Sequence, residues 1–245
     1  MFDKITMKNE KEKLNMNFIK SFKNLFSPIV TTIIVIAISA YTLGLSFGGN
    51  NIFEQLERFV PIILVIIAVV GMQLSKQSLA AHLILLFTSY LQSGRDLIVA
   101  ITSFDFQSFS FGVTWTIPLI INAIIFVYLL LYILSFVLDG KAKFRLESGP
   151  VVVSAIIAFT FFFFRDGFSV AVLKIVPPMI ALMFGSELFA IVLLLAGVAD
   201  VPFDLLAKLT DGILFEQTFG YYLFAAFALY LIYGAVVGIL KHLKS

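Results

Sequence analysis

The sequence contains no cysteine, only two histidines and few charged residues, which make up 13% of its 245 positions. The absence of cysteine excludes disulfides, thiolate metal ligands and thiol catalysis. The two histidines are far apart, and the chain has no GxxxxGK[ST], HExxH or GxSxG motif. The formal net charge is +2, and the basic residues are scattered among segment ends. We therefore expect no metal site, no cofactor, no nucleic-acid partner and no enzymatic activity.

Apolar residues, in contrast, account for 60% of the chain, and the mean hydropathy is +1.04. A soluble domain is roughly 45–50% apolar and about 25% charged. A chain with so little charge cannot cover its surface with polar groups, so lipid must cover it. The long runs are apolar on every face, which is typical of membrane helices and not of barrel strands. The sequence predicts an all-α, polytopic membrane protein that lies in the lipid bilayer.

The apolar runs predict about eight transmembrane helices. They cover residues 28–47, 59–74, 78–103, 115–138, 150–164, 168–185, 187–206 and 217–240. The second and fifth runs are shorter than the roughly 17–25 residues of a normal span, so six or seven crossings remain an alternative. Residues 1–27 are predicted to form a basic amphipathic segment on the cytoplasmic side, and residues 28–245 a single transmembrane domain.

The distribution of basic residues predicts the orientation of the chain. With eight spans and a cytoplasmic N-terminus, most of the 17 lysines and arginines fall on the inner side. The outer segments are acidic or aromatic, and Trp115 lies where an aromatic belt would anchor a span. We therefore expect a multi-pass protein of the cell (inner) membrane with both termini in the cytoplasm.

Two segments that begin at Pro61 and Pro150 suggest an internal repeat. Each continues with a short apolar run, a tight polar turn (SKQ or RDG) and a second apolar run. In the predicted topology the first turn lies inside and the second outside, so spans two to four and five to seven would be inverted copies. Inverted repeats often form transport pathways with a site near the middle of the membrane. Two unrelated apolar hairpins would show the same pattern, which is the alternative interpretation.

Lys174 and the pair Pro177–Pro178 interrupt the sixth apolar run. Lys174 lies seven residues after Gly167, or about 10 Å along a helix. Each proline lacks the N–H that a helix uses and clashes with the carbonyl four residues back, so the pair predicts a broken sixth helix. A broken helix beside an ammonium group is one way to present an ion or substrate site. A simple kink with a snorkelling lysine is the alternative.

Asp200 and Asp204 are the candidate partners of Lys174. They are four residues apart and therefore share a helix face, and Asp200 lies at a depth close to that of Lys174. We predict an ion pair between Lys174 and Asp200, with Asp204 nearer to water. A charged residue in the membrane costs at least about 2.5–3.5 kcal/mol on insertion scales, so it is a functional candidate. A purely structural ion pair would look the same in sequence.

His82 in the third span and Asn122 in the fourth complete the candidate pathway. Imidazole titrates near neutral pH and could relay protons, although a hydrogen-bonded core histidine is the alternative. Asn122 could line a cavity together with Thr88 and Gln92, or could join helices by hydrogen bonds.

These features favour a membrane transport protein: a small carrier, a channel or the membrane subunit of a larger transporter. The alternative is a non-transporting assembly subunit of a secretion, conjugation or envelope complex. Phenylalanine-rich outer segments and two GxxxG spacings, Gly44–Gly48 and Gly234–Gly238, favour that alternative. We expect either protein to form a homo-oligomer or to join a larger membrane complex.

The substitution Lys174→Met distinguishes these two functions. It removes the positive charge and keeps much of the side-chain length. A transporter should lose flux and stay folded, whereas an assembly subunit should lose complex assembly or change in neither respect. Flux into proteoliposomes and size-exclusion chromatography of the solubilised complex measure the two properties. If flux and assembly are both unchanged, Lys174 belongs to no functional site.

Overall fold

The computed structural model describes residues 27–45, 52–138, 155–156, 158–160, 162–163 and 167–199. The chain in these ranges is mostly helical. Its helices are α1 (Pro28–Leu45), α2 (Ile52–Leu74), α3 (Ser78–Leu85), a π-helix (Leu86–Tyr90), α4 (Leu91–Thr102), α5 (Ile117–Leu138), α6 (Phe168–Met183) and α7 (Glu187–Val198). The described residues between 155 and 163 are also helical. Two short strands, β1 (Phe104–Asp105) and β2 (Ser110–Phe111), form an antiparallel hairpin between α4 and α5.

The predicted all-α class is confirmed for the described residues, apart from this small hairpin. Three helical stretches are long and apolar enough to cross a membrane: Pro28–Leu45, Ser78–Thr102 and Ile117–Val137. Three shorter apolar helices cover Arg58–Leu74, Phe168–Met183 and Glu187–Val198. These six stretches coincide with six of the predicted spans, and the number eight stays a prediction. The N-terminal segment and the last predicted span lie outside the described residues.

Local sequence explains where several of these helices begin. Ser27 precedes Pro28 at the start of α1, and the Ser27 Oγ accepts a hydrogen bond from the Val30 N–H at 3.4 Å. Serine is a favoured N-cap residue, and proline is favoured at the first helical position. Helix α2 begins earlier than residue 59, the predicted start of the second span, because the preceding polar residues are good helix formers.

Two helical hairpins, α2–α3 and α6–α7, pack against each other, and the other helices pack on them. Helix α2 contacts α1, α3 and α7, whereas α6 contacts α7, α3 and the π-helix. The helices α2, α3, α6 and α7 therefore form a four-helix unit, and α5 packs on its side against α3, the π-helix and α4. Many buried positions at these contacts are alanines, including Ala68, Ala80, Ala81, Ala181 and Ala190. Small side chains allow the close approach that packing within a membrane requires.

The hairpin between α2 and α3 turns through a left-handed residue. Lys76 has φ of 62°, and its N–H donates to the Gln73 carbonyl at 3.2 Å. The next N–H, that of Gln77, donates to the Met72 carbonyl at 2.9 Å. These two bonds form a Schellman motif, which satisfies the last carbonyl groups of α2.

The hairpin between α6 and α7 turns in the same way, 109 positions later along the chain. Gly185 has φ of 73° and donates to the Leu182 carbonyl at 2.9 Å, and Ser186 N–H donates to the Ala181 carbonyl at 3.0 Å. The two turns also contact each other. The Ser186 Oγ donates to Gln77 Oε1, and Gln77 Nε2 donates to the Phe184 carbonyl at 3.2 Å.

Since these turns touch and α2 packs against α7 while α3 packs against α6, the two hairpins point in the same direction. The structure thus shows SKQ and GSE as turns of the same kind, whereas the predicted repeat pairs SKQ with RDG. The residues Arg165 and Asp166 of the RDG turn lie outside the described residues. The inverted repeat of spans two to four and five to seven thus stays a prediction.

The carboxylate of Asp105 accepts two hydrogen bonds within the turn of the β-hairpin that follows α4. Asp105 Oδ2 accepts a hydrogen bond from Ser108 Oγ at 2.7 Å, and its Oδ1 accepts one from the Gln107 N–H at 2.9 Å. These two bonds hold the pKa of the Asp105 carboxyl below its ordinary value. Phe106 and Phe109 on the hairpin are 79% and 82% exposed.

We expect Gly185→Ala to lower the free energy of unfolding by about 1 kcal/mol, because an L-residue at φ of 73° places Cβ close to the carbonyl oxygen. The measurement is denaturant unfolding in detergent micelles. Gly44→Ala is the matched control, since no heavy atom lies within 4 Å of a Cβ added there. Equal effects at the two positions would contradict the proposed role of the turn.

Candidate functional site

His82 lies completely buried between α3 and α5, with no exposed surface. Its Nδ1 is 2.7 Å from the Ser78 carbonyl oxygen, and its Nε2 is 3.1 Å from the Tyr128 hydroxyl. The ring stacks on Tyr132 with 3.6 Å between centroids and 12° between planes. The Tyr132 hydroxyl is 2.6 Å from Ser78 Oγ. We call Ser78, His82, Tyr128 and Tyr132 the tyrosine–histidine cluster.

The hydrogen bonds of this cluster define the tautomer of the neutral imidazole. A backbone carbonyl only accepts, so Nδ1 carries the hydrogen and donates to Ser78. The unprotonated Nε2 then accepts from the Tyr128 hydroxyl. Both ring nitrogens are thus matched, which is the arrangement expected of a stable buried histidine. A proton relay also needs hydroxyl and imidazole groups that are connected by hydrogen bonds, as they are here.

Lys174 lies in the middle of α6 and is partly buried. Its Nζ is 5.1 Å from the centre of the Phe162 ring, a cation–π distance. Phe162 has no exposed surface and packs against α7, where a Cβ added to Gly197 would come within 2.7 Å of Phe162 Cζ. The ammonium group of Lys174 therefore lies over a ring that faces the last turn of α7.

The predicted break at Pro177–Pro178 is wrong for the backbone. Helix α6 continues from Phe168 to Met183, and both prolines are buried inside it. The helix persists because α3, the π-helix and α7 pack around it. The prolines still supply no N–H to the carbonyls of Leu173 and Lys174, four residues earlier. Helix α6 is therefore continuous, but these two carbonyls lack their usual backbone donors.

Asp200 and Asp204 lie outside the described residues, so the Lys174–Asp200 pair stays a prediction. Gly197, the residue of α7 against Phe162, precedes Asp200 by three positions.

Asn122 lies on α5, one helical turn before Phe126. Its Oδ1 is buried, and no described residue donates a hydrogen bond to it. Phe126 borders a cavity of about 610 Å³ between the π-helix, α4, α5 and α6. Thr88 and Gln92 line this cavity, as the sequence suggested for a shared polar cavity, whereas Asn122 lies one turn away on the same helix face.

The structure thus separates the predicted site residues into three places. His82 belongs to the tyrosine–histidine cluster, Lys174 contacts Phe162, and Asn122 lies near the cavity beside α5. Within the described ranges, no group of three His, Asp or Glu side chains is arranged to hold a metal ion.

Sequence reasoning missed the partners of His82. Ser78 and His82, and likewise Tyr128 and Tyr132, are spaced four residues apart, so each pair shares one helix face. Two polar pairs of this spacing on neighbouring apolar spans could have suggested a shared cluster. The bond between Gln77 and Ser186 has no comparable sequence pattern.

Comparisons with protein-family models, curated proteins and solved structures give no match for this chain. The function therefore has to be inferred from the residues and their geometry.

We expect Tyr128→Phe to lower the free energy of unfolding by about 1 kcal/mol, because it removes the hydroxyl that donates to His82 Nε2. Thermal unfolding in detergent measures this loss. Tyr41→Phe is the matched control, since the buried Tyr41 hydroxyl has no hydrogen-bond partner among the described residues. Equal losses in both variants would show that the Tyr128 hydroxyl adds nothing specific.

Proposed function

We propose that the chain is a membrane transport protein, either a small carrier, a channel or the membrane subunit of a transporter. The observation that carries this proposal is Lys174, whose charged side chain is partly buried in the middle of an otherwise apolar helix. An ionisable side chain at membrane depth is expensive, and such residues mark ion and substrate pathways.

The surroundings of Lys174 support this interpretation. The two buried prolines leave carbonyls of α6 without their usual backbone donors, and lipid cannot supply replacements. A cation–π contact with Phe162 keeps the ammonium group among the helices. Asp200 is the counter-ion that we predict for Lys174.

Polar groups on neighbouring helices extend the proposed pathway. The tyrosine–histidine cluster lies between α3 and α5, and the unmatched Oδ1 of Asn122 is buried on α5. A buried acceptor without a donor requires an explanation, and water in a pathway provides one. We place the pathway along the third, fourth, sixth and seventh predicted spans.

The proposed architecture has about eight spans in the cell (inner) membrane, with both termini in the cytoplasm. The contact between the two turns supports an even number of crossings between them, because the predicted topology places Lys76 and Gly185 on the same side. The inverted repeat of spans two to four and five to seven is a prediction from the sequence, and the proposed function does not depend on it.

Cysteine accessibility tests the pathway without knowledge of the substrate. The natural chain has no cysteine, so single-cysteine variants need no further change. In sealed vesicles, a hydrophilic thiosulfonate should label Asn122→Cys and Lys174→Cys, because the reactive thiolate forms only where water reaches it. The measurement is the rate of labelling from each side of the membrane.

Ile124→Cys is the control for this experiment. Ile124 lies two residues from Asn122, is 63% exposed on an apolar helix and should remain unlabelled in lipid. If Asn122→Cys and Lys174→Cys are as unreactive as Ile124→Cys, no water-filled pathway passes these residues and the proposal fails.

The alternative function, a non-transporting assembly subunit, is favoured by the β-hairpin. Phe106 and Phe109 expose large apolar rings that a partner protein could cover. A pull-down from native membranes in mild detergent, followed by mass spectrometry, distinguishes the functions. Stoichiometric secretion or envelope components would favour the assembly role, whereas a pure homo-oligomer would favour an autonomous transporter.

A further inference from the structure

A groove of about 610 Å³ opens beside the π-helix, between α4, α5 and α6. Its volume falls in the range of roughly 300–1,000 Å³ that is typical of small-molecule sites. Most of its lining is apolar, but Thr88, Ser89, Gln92 and Arg95 also line it. We call this feature the Arg95 groove.

The polar side chains of the Arg95 groove are ordered along one helix face. Thr88, Gln92 and Arg95 are spaced four and three residues apart, so they form a line along the π-helix and α4. Apolar residues alternate with them on the same face, among them Leu91 and Ile98, which are 41% and 61% exposed. A single helix face therefore offers a hydrocarbon surface together with one cationic group.

Arg95 provides the charge complementarity of the groove. Its guanidinium is exposed, and no described residue forms an ion pair or a hydrogen bond with it. The adjacent carboxylate, Asp96, instead accepts a hydrogen bond from Gln92 Nε2 at 3.1 Å and does not line the groove. The guanidinium is thus available to an anionic ligand, for which its planar donors are well suited.

The side chain of Arg95 is long enough for its guanidinium to reach outwards to a lipid headgroup, as arginines near helix ends do. Arg95 lies seven residues before the end of the Ser78–Thr102 span, or about 10 Å from that end. Thr88 lies seven residues deeper, again about 10 Å, towards the middle of the span. Phe87, Phe126 and Leu173 line the groove as its apolar wall. The guanidinium therefore lies at the end of the groove nearer to Thr102, and apolar surface extends from it towards the middle of the span.

Local backbone features form this shape. The π-helix at Leu86–Tyr90 is of a kind often found at functional sites, and Tyr90 is anchored to α1 by a 2.8 Å hydrogen bond with Thr42. Gly94 is buried, and any Cβ there would collide with the ring of Phe126. The ring can therefore lie directly on the backbone of α4 and close the floor of the groove.

We propose that the Arg95 groove binds an amphiphile with an anionic head and a hydrocarbon chain. The head pairs with Arg95, and the chain extends inwards along Leu91, Phe87 and Phe126. Of the molecules with this chemistry, we assign an anionic bilayer lipid, because lipid would surround the exposed apolar face formed by Leu91 and Ile98. Binding here does not depend on transport through Asn122 and Lys174, so either proposal can fail while the other holds.

A single-cysteine variant in the full-length protein tests this proposal. Thr88→Cys places a thiol in the groove, and its rate of reaction with a maleimide is measured in a neutral detergent. Short-chain phosphatidylglycerol should slow the reaction, whereas phosphatidylcholine of the same chain length and glycerol phosphate alone should not. Protection by phosphatidylglycerol and not by dodecanoate supports the proposal, whereas protection by dodecanoate and not by phosphatidylglycerol would show that a free anion binds instead and would overturn it.

Arg95→Gln should raise the phosphatidylglycerol concentration required for protection by about tenfold or more, because a charge-assisted hydrogen bond is lost. Arg95→Lys should keep most of the protection, which separates lost charge from lost folding. Lys76→Gln is the matched control, since it removes an exposed cation at the opposite end of the span and should change nothing.

Two further results would overturn the assignment of the Arg95 groove. Equal protection by phosphatidylglycerol and phosphatidylcholine, or no effect of Arg95→Gln, would show that the charge does not select the ligand. A thiol at position 88 that does not react even without lipid would show that another part of the protein covers the groove.

Discussion

The arrangement of the helices depends on the hydrogen bonds between two turns. Gln77 accepts from the Ser186 hydroxyl and donates to the Phe184 carbonyl, so the ends of two helical hairpins are joined side by side. In a membrane there is no hydrophobic driving force between helices, and packing together with polar contacts of this kind decides which helices meet. Once the two turns are joined, α2 lies against α7 and α3 lies against α6.

The four-helix unit in turn positions the polar residues. Helix α3 presents His82 to the tyrosines of α5, and the π-helix that follows it opens the Arg95 groove. Helix α6 tolerates two buried prolines because its neighbours keep it helical, and this places Lys174 over Phe162 beside α7. The proposed pathway and the proposed amphiphile site are therefore neighbours: Asn122 lies one turn from Phe126, and Lys174 follows Leu173, and both Phe126 and Leu173 line the groove.

Much of the fold could be predicted from the sequence, because helix positions in membranes follow from local composition. The run that became α5 is apolar over 22 residues and can satisfy its backbone groups only as a helix. The turns at Ser75–Gln77 and Phe184–Ser186 follow from short polar breaks. The start of α2 and the continuity of α6 were predicted less well. Helix-forming polar residues extend the first, and tertiary packing overrides proline in the second.

By itself, the sequence determined the all-α class, the approximate position of each described helix, and the presence of a charged residue, Lys174, within an apolar run. These properties depend on composition and on short-range spacing. Only the tertiary structure decided which polar groups meet: Gln77 with Ser186, His82 with Tyr128, and Lys174 with Phe162. Such contacts join residues distant in the chain, and they depend on how helices rotate and slide against one another. An apolar helix surface leaves that choice open, because it fits lipid and protein about equally well.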